Sequence, residues 1–421
     1  MRTFTLLWFG QLVSTIGSYM TGFALTLWAW ELTGSATALA LVGFFSQLPR
    51  IPVTLIAGII IDRFSRKHLM VLGDSIATLS TVGIGILYLT GSLQIWHLYV
   101  AASVRGGFGE VQRLAYQTSI SSMVPPIQLT RANSMNSAVH YGSIIFGPAL
   151  AGILYPLTGL MGVLLADLGT FGVAIATLLT ISIPQPTHHQ TAEPLWSNLT
   201  FGFRGIWRQP SLRSLLLITV LFRFFHDLGG AIYDPMILAR TNGSAQTLAN
   251  TAAAAGIGGI TGAIALTAWG GPKRRVNGMC MGYIGAGIAK TVFGLGSTLK
   301  VWVPAQFCSS LNFPLLGSSE KALWMENTSP DIQGRIFAAN SFVLQSVSTI
   351  ASLMAGPIAE RLIEPAIQRQ AWIVRPLLET TPGARIALLY VFTSLALILV
   401  GIGGYCLPAL RRVDETMSVT N

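Results

Sequence analysis

Charged residues inside long apolar stretches are the groups of this sequence whose spacing indicates chemistry. Glu110 lies three residues before Arg113, and Arg223 lies four residues before Asp227. Residues three or four apart share one face of a helix, so each carboxylate can pair with its arginine. A paired carboxylate inside a membrane can exchange its counter-ion for a proton, whereas the alternative interpretation is a static ion pair that holds helices together.

Other polar residues lie in the same stretches. The proton-coupling candidates and their charge partners are the acids Glu110, Asp227 and Glu320 and the arginines Arg105, Arg113 and Arg223. The candidate substrate-lining residues, which offer hydrogen bonds or an aromatic face, are Gln11, Ser14, Ser18, Tyr19, His226, Asn312 and Phe313. Polar stripes of this kind also serve as contacts between helices, and that interpretation stays open. We interpret Arg50, Asp74 and Asp167 as mainly structural.

The composition indicates that these residues are carried on membrane helices. Of the 421 residues 52% are hydrophobic and 10% are charged, whereas a soluble domain averages about 25% charged. A membrane helix needs about 20 mostly apolar residues. Twelve such stretches occur, at approximately residues 4–30, 37–61, 69–90, 95–123, 133–157, 160–183, 211–238, 245–270, 276–298, 301–326, 337–360 and 385–408. The sequence therefore predicts an all-α membrane protein with twelve transmembrane helices.

Prolines and basic residues predict the domain organisation. Residues 184–210 hold four prolines, which predicts a cytoplasmic linker between a six-helix bundle at 1–183 and another at 211–421. Fourteen lysines and arginines fall on the inner side and six on the outer side. This bias predicts a multi-pass protein of the cell inner membrane with both termini cytoplasmic. It also accounts for the net charge of +10 without a nucleic-acid partner.

The two halves repeat. Residues 34–36 (Gly-Ser-Ala) return at 243–245, and the basic pair 66–67 returns at 274–275, at offsets of 209 and 208. Six membrane-spanning stretches, here called spans, lie between each residue and its counterpart in the other half. Six is an even number, so the halves share one orientation in the membrane. Parallel repeats of this kind support alternating access, in which a central site opens to one side at a time. The architecture therefore indicates transport.

A loop signature follows span two. Its residues are Gly58, Asp62, Arg63, Arg66 and Lys67. This spacing resembles the signature G-x-x-x-D-R-x-G-R-[RK] of the major facilitator superfamily, with Ser65 in place of the second glycine. Asp62 can face the positive end of a helix while the basic residues reach lipid phosphates or carboxylates, which would hold an inner gate shut. The alternative is that the basic residues only fix the topology.

The resemblance covers the whole chain. Residues 115–117, 124–125 and 129–133 are similar to the branch that includes macrolide efflux pumps and the enterobactin exporter. It implies a secondary carrier that expels drugs or siderophores in exchange for protons, with spans one, four, seven and ten around a central cavity. It also implies that Gly147, Pro148 and Gly152 form part of the antiporter motif of span five.

Known enzyme motifs do not occur in the sequence. There is no P-loop, nucleophile elbow or HExxH motif, so we expect an ion gradient to supply the energy, and neither enzymatic activity nor a cofactor. The expected partners are a small-molecule substrate, protons and the lipid bilayer, and we expect a monomer. Two alternatives stay open: a carrier that moves lysophospholipid between leaflets, and a membrane-embedded enzyme or non-transporting sensor.

Overall fold

Helices form the described part of the chain. The computed structural model describes residues 2–125, 128–181, 183, 195–272, 274–362 and 383–407. The helices are α1 (Arg2–Thr33), α2 (Ala36–Gln47), α3 (Arg50–Arg63), α4 (Arg66–Leu89), α5 (Ile95–Met123), α6 (Leu129–Thr180), α7 (Leu195–Arg208), α8 (Pro210–Ala231), α9 (Tyr233–Arg240), α10 (Ala245–Trp269), α11 (Arg275–Leu295), α12 (Leu299–Leu311), α13 (Phe313–Glu326), α14 (Pro330–Pro357) and α15 (Ala384–Cys406). A π-helical turn, Ile358–Leu362, follows α14. No strand occurs in these ranges, as the all-α prediction requires.

The predicted spans correspond to these helices. Nine helical segments of the described residues are long and apolar enough to cross a membrane. One of them, Gly142–Thr180, covers most of spans five and six, which are joined as the single helix α6. The two spans meet at a kink at Gly159, where φ is 67°. Glycine tolerates this left-handed backbone because it has no Cβ. The other two spans are not among these nine segments. Span four corresponds to α5, which is more polar, and span ten corresponds to α12 and α13, which are each short.

Three spans consist of two helices in series. The helices α2 and α3, α8 and α9, and α12 and α13 are each separated by one or two residues. Each break lies within four residues before a proline, namely Pro52, Pro235 or Pro314. Proline has no amide hydrogen, and its ring clashes with the carbonyl of the fourth residue before it. The sequence itself therefore interrupts these spans.

The chain forms two compact units. Unit 1 contains Met1–Gly34, Leu41–Ala192 and Gly243–Ala253, and unit 2 contains Ser35–Ala40, Glu193–Asn242 and Ala254–Asn421. The core of unit 1 includes Phe4, Met70, Ala115 and Leu178, and that of unit 2 includes Leu215, Met279, Leu323 and Leu397. Each core thus draws on the first, third, fourth and sixth spans of its half. Of the predicted linker, residues 184–194 lie outside the described residues, and the following residues form α7.

Matching caps occur at the two copies of the Gly-Ser-Ala repeat. Gly34 and Gly243 have φ angles of 57° and 80°. The next residue in each copy caps the following helix: the Oγ of Ser35 accepts the amide of Ala38, and that of Ser244 accepts the amide of Thr247, both at 3.2 Å. A serine in this position satisfies an amide that has no partner in the helix. The repeat in sequence is therefore a repeat in local structure.

Candidate functional site

Glu110 of α5 forms the ion pair that its spacing predicts. Its side chain is 6% exposed, and its Oε2 accepts a hydrogen bond from Arg113 Nε at 2.9 Å. A second bond joins Arg113 Nη2 to Glu110 Oε1. Thr54 of α3 approaches the same carboxylate at 3.4 Å. The pair is held at the α3–α5 contact, with Arg113 remaining about half exposed.

Asp227 of α8 forms the second predicted pair. Arg223 Nε lies 2.8 Å from Asp227 Oδ2, one helical turn away. Ser348 of α14 completes the group, because its hydroxyl donates to Asp227 and accepts from Arg223 Nε at 2.9 Å. This cluster joins two helices of unit 2 through one carboxylate, one guanidinium and one hydroxyl.

Glu320 of α13 has a different environment. It faces Tyr283 of α11, whose hydroxyl donates to Glu320 Oε2 at 3.4 Å. Among the described residues no lysine, arginine or histidine lies within ion-pair distance of Glu320. Its hydrogen-bond partner is therefore uncharged, unlike those of Glu110 and Asp227, and Arg223 of α8 interacts with it electrostatically from beyond ion-pair distance.

His226 and Phe313 lie together in unit 2. Their rings are 5.1 Å apart between centroids, and His226 also stacks on Phe222 at 5.5 Å. The Nδ1 of His226 lies 3.0 Å from Nζ of Lys290, which is 7% exposed. Asn312, in contrast, donates to the carbonyl of Cys308 in its own span at 2.8 Å. Of these two predicted substrate-lining groups in span ten, only the aromatic ring joins the cluster.

The predicted polar stripe of α1 lies partly in the interior of unit 1. Gln11 and Ser14 are buried, whereas Ser18 and Tyr19 are partly buried. Gln11 Oε1 accepts a hydrogen bond from Gln112 Nε2 of α5 at 2.7 Å. The first residue of the stripe, Gln11, therefore forms a contact between α1 and α5.

Arg105 and Asp167 interact electrostatically within unit 1. Asp167 Oδ2 also accepts hydrogen bonds from Thr21 at 2.8 Å and Thr81 at 3.4 Å. Asp167 thus joins α1, α4 and α6, which fits a structural role.

The residues of the loop signature bind helix ends. Arg66 Nη1 donates to the carbonyl of Thr118 at 2.8 Å. Lys67 Nζ donates to the carbonyls of Leu179 and Ile181 at 3.0 and 2.6 Å. These two basic side chains therefore engage backbone carbonyls of unit 1. Gly58 lies in α3 and Arg63 is exposed, while the side chain of Asp62 lies outside the described residues.

The residues of the span-five motif permit close helix packing. A Cβ at Gly147 would overlap the side chain of Tyr19, and one at Gly152 would lie 2.8 Å from Cβ of Ala249. Pro148 lies within α6 between them. The motif therefore has a packing role in unit 1.

Sequence reasoning did not assign Ser348, Tyr283, Gln112 or Lys290 to the site. Ser348 and Gln112 have no local signal, because each acts on a residue about a hundred positions away. Lys290 is a charge in an apolar span and could have been assigned by that criterion.

Comparisons with known proteins agree with the helical architecture. The family model of the Major Facilitator Superfamily matches residues 7–352. Macrolide efflux protein A of Streptococcus pyogenes is 23% identical over 363 residues, which cover 85% of this chain and 90% of that protein. Multidrug efflux pump Tap of Mycolicibacterium fortuitum is 22% identical over 422 residues, covering 97% and 96%.

Solved structures show the same fold. The POT family transporter PepTSo superposes with a TM-score of 0.73 at 12% identity, covering 98% of each chain. A bacterial homolog of the human lysosomal transporter Spinster, in its inward-facing and unoccupied conformation, gives 0.66 at 15% identity, covering 98% of this chain and 96% of the other. The expected fold class and resemblance are thereby confirmed. This chain belongs to the major facilitator superfamily and is a multi-pass membrane transporter of small molecules rather than an enzyme.

Proposed function

We propose that this protein exports amphiphilic small molecules, such as drugs or siderophores, across the cell inner membrane in exchange for protons. It acts as a monomer with both termini cytoplasmic and uses alternating access. The observation that carries the proposal is the pair of acid–arginine clusters in membrane helices, Glu110 with Arg113 and Asp227 with Arg223. The similarity to a macrolide efflux protein and a multidrug efflux pump supports drugs as the substrate class.

The energetic cost of these charges supports a functional role. A charge at the bilayer centre costs about 2.5–3.5 kcal/mol on the insertion scale, so its retention calls for a partner or a wet site. Arg113 and Arg223 keep 49% and 45% of their side chains exposed. Each guanidinium therefore has room to leave its carboxylate, so that a cationic or polar group of a substrate can take its place.

The exchange proceeds through the protonation of Asp227 or Glu110. A proton that enters from the outer side neutralises the carboxylate, which then releases the substrate group that it holds to the outside. Loss of that proton on the inner side restores the charged carboxylate, which can again bind its arginine partner or a further substrate molecule. Substrate and proton then compete for the same charge, which is the requirement for an antiporter.

The membrane potential supplies enough energy for export. Moving one charge through 100 mV yields about 2.3 kcal/mol. At about 1.36 kcal/mol per factor of ten, one proton supports roughly fiftyfold accumulation before any contribution from the pH gradient. An exporter of this type therefore needs no nucleotide site.

Everted membrane vesicles test the proposal. A proton gradient is established, and a panel of cationic dyes, macrolides and siderophores is added while the internal pH is followed. A substrate should dissipate the gradient only when the protein is present, and Asp227→Asn and Glu110→Gln should abolish that response. The matched control is Glu326→Gln, since Glu326 pairs with Arg275 at 3.8 Å at the end of α13. The proposal fails if no compound evokes a protein-dependent proton flux, and the coupling assignment fails if both variants respond like wild type.

A further inference from the structure

Asp74 of α4 lies in a polar pocket inside unit 1. The amide side chains of Gln11 and Gln112, from α1 and α5, interact with its carboxyl group and with each other at 2.7 Å. Asp74 Oδ2 is enclosed and has no hydrogen-bond partner among the described residues. A Cβ at the neighbouring Gly73 would lie 2.6 Å from Cβ of Gln112, so α4 and α5 are in close contact here. The pocket is therefore preformed by the packing of three helices.

The cations nearest in sequence bind elsewhere. On α4 itself, Arg66 and Lys67 bind backbone carbonyls of α5 and of the end of α6. On α5, Arg113 is paired with Glu110. No lysine, arginine or histidine of the described ranges lies within ion-pair distance of Asp74. A negative charge on Asp74 is consequently uncompensated.

The other helices packed near Asp74, α1 and α6, place no cation within ion-pair distance of it in the described part of the chain. From α6, the carboxylate of Asp167 engages Thr81, two turns further along α4 than Asp74. The groups that face Asp74 are therefore the two neutral amides. A buried carboxylate without a cation is costly, whereas the protonated acid is neutral and can donate its hydrogen to an amide oxygen.

Unit 2 contains the corresponding arrangement. Residues 74 and 112 correspond to Tyr283 and Glu320 at offsets of 209 and 208, the same offsets that relate the two halves elsewhere. Tyr283 donates to Glu320 at 3.4 Å, and Thr219 of α8 occupies the place of Gln11 beside Tyr283. The glycine before each position is also retained, at 73 and 282, and Gly282 packs on Leu316.

The carboxyl group lies on different helices of the two units. In unit 1 it lies on the third span and faces an amide of the fourth, whereas in unit 2 it lies on the fourth span and faces a phenol of the third. Each unit therefore keeps one acid whose hydrogen-bond partners are neutral at the same position of its bundle. Neither acid forms an ion pair within the described residues, and the charged neighbour of Glu320 is Arg223, which already pairs with Asp227.

We propose that Asp74 is a second proton-binding site, equivalent in unit 1 to Glu320 in unit 2, with Gln11 and Gln112 as its positioning residues. The proposal rests on the proposed proton-coupled export, and its ligand is the proton.

Infrared spectroscopy of the protein in liposomes tests this site without a substrate. The carbonyl band of protonated carboxylic acids is followed as the pH is raised. Asp74→Asn should remove part of the band that wild type shows at neutral pH, and Asp74→Asn with Glu320→Gln should remove more. Glu326→Gln should leave the band unchanged, because Glu326 is ion-paired. An unchanged band in Asp74→Asn would overturn the proposal even if export proves to be proton-coupled.

Relocation of the acid separates proton binding from a folding defect. In the double variant Asp74→Asn with Gln112→Glu, the carboxyl moves to the helix that carries it in unit 2. This variant should regain the acid band that Asp74→Asn loses, while both variants keep the thermal unfolding temperature of wild type. In vesicles, Asp74→Asn should release fewer protons for each erythromycin molecule exported. Equal proton release in Asp74→Asn and wild type contradicts this assignment, whereas no proton release in wild type contradicts the proposed function instead.

Discussion

Arg223 and Asp227 lie one turn apart on α8, with Nε and Oδ2 2.8 Å apart, and the hydroxyl of Ser348 binds both. Ser348 belongs to α14, so a neutral group from a second helix completes the ion pair. A hydroxyl can accept from the guanidinium and donate to the carboxylate at the same time. The geometry of this pair therefore depends on the contact between α8 and α14.

Ser348→Ala removes both of these hydrogen bonds. We expect a loss of about 1–3 kcal/mol in the free energy of unfolding, because hydrogen bonds to charged groups contribute in this range. Ser348→Thr keeps the hydroxyl and should retain most of that stability. Unfolding in detergent, followed by tryptophan fluorescence, measures the difference.

Ser346→Ala is the matched control in the same helix. Among the described residues, the hydroxyl of Ser346 bonds only to the carbonyl of Phe342 in its own helix, at 2.9 Å. Its removal should change the unfolding free energy by less than about 0.5 kcal/mol, as is usual for substitutions away from networks. Equal losses in Ser346→Ala and Ser348→Ala would show that the bridge contributes nothing.

The spacing of residues predicted the two ion pairs but not the serine that bridges one of them. Glu110 with Arg113 and Arg223 with Asp227 are three and four residues apart, so helix geometry alone brings each pair together. Ser348 lies 121 residues from Asp227, and nothing in the spacing distinguishes it from other serines of α14. Contacts of this kind depend on how helices pack, which periodicity does not specify.

The internal repeat carried more information than any single motif. The offset of 208–209 that relates Ser35 to Ser244 also relates Asp74 to Tyr283. Sequence inspection found the first match because the residues are identical, whereas the second changes residue type. Only the contacts of Tyr283 with Glu320 and of Asp74 with Gln112 show that these positions are equivalent.

Glycines of α10 permit close contact with α12. A Cβ at Gly258 would overlap the carbonyl oxygen of Phe307, and one at Gly262 that of Leu311. Both oxygens belong to backbone of α12, which cannot rotate away. We therefore expect Gly258→Ala to destabilise the protein by about 1–3 kcal/mol through overpacking.

Gly403→Ala in α15 is the control for this substitution, since a Cβ there meets nothing within 4 Å. Alanine is preferred over glycine in a helix by about 0.5–1 kcal/mol, so this variant should be slightly more stable than wild type. Thermal unfolding in detergent compares the two. A Gly258→Ala protein as stable as Gly403→Ala would refute the packing argument.

Arg66 and Lys67 are expected to stabilise unit 1 by binding helix ends. Arg66 is 8% exposed, and its guanidinium binds the carbonyl of Thr118 near the end of α5. Cations near a helix carboxyl end are favourable because the last carbonyls carry partial negative charge. Arg66→Met should therefore lower the unfolding free energy by about 1–3 kcal/mol.

Arg63→Met serves as the comparison, because Arg63 belongs to the same signature but is exposed. Its replacement should leave the stability of the purified protein close to that of wild type. If Arg63→Met and Arg66→Met unfold at the same temperature, the signature acts through its charge alone and not through the carbonyl contact.

Lys290 and His226 are expected to be energetically coupled. Lys290 is 7% exposed, and its Nζ lies 3.0 Å from His226 Nδ1. When Lys290 is protonated its ammonium group has donors only, so this contact requires His226 to accept at Nδ1 and to carry its hydrogen on Nε2. His226→Ala should cost about 1.5–3 kcal/mol, because it leaves the buried ammonium without this acceptor.

A double-mutant cycle isolates that coupling from the other contacts of His226. The ring also stacks on Phe222 at 5.5 Å, and this contact is lost whenever His226 is replaced. Lys290→Met keeps the length of the side chain without its charge, so it removes the group that needs the acceptor. In the Lys290→Met background, His226→Ala should therefore cost less than in wild type by at least about 1 kcal/mol, the usual contribution of a hydrogen bond. Additive effects of the two substitutions would mean that the ammonium does not depend on the imidazole.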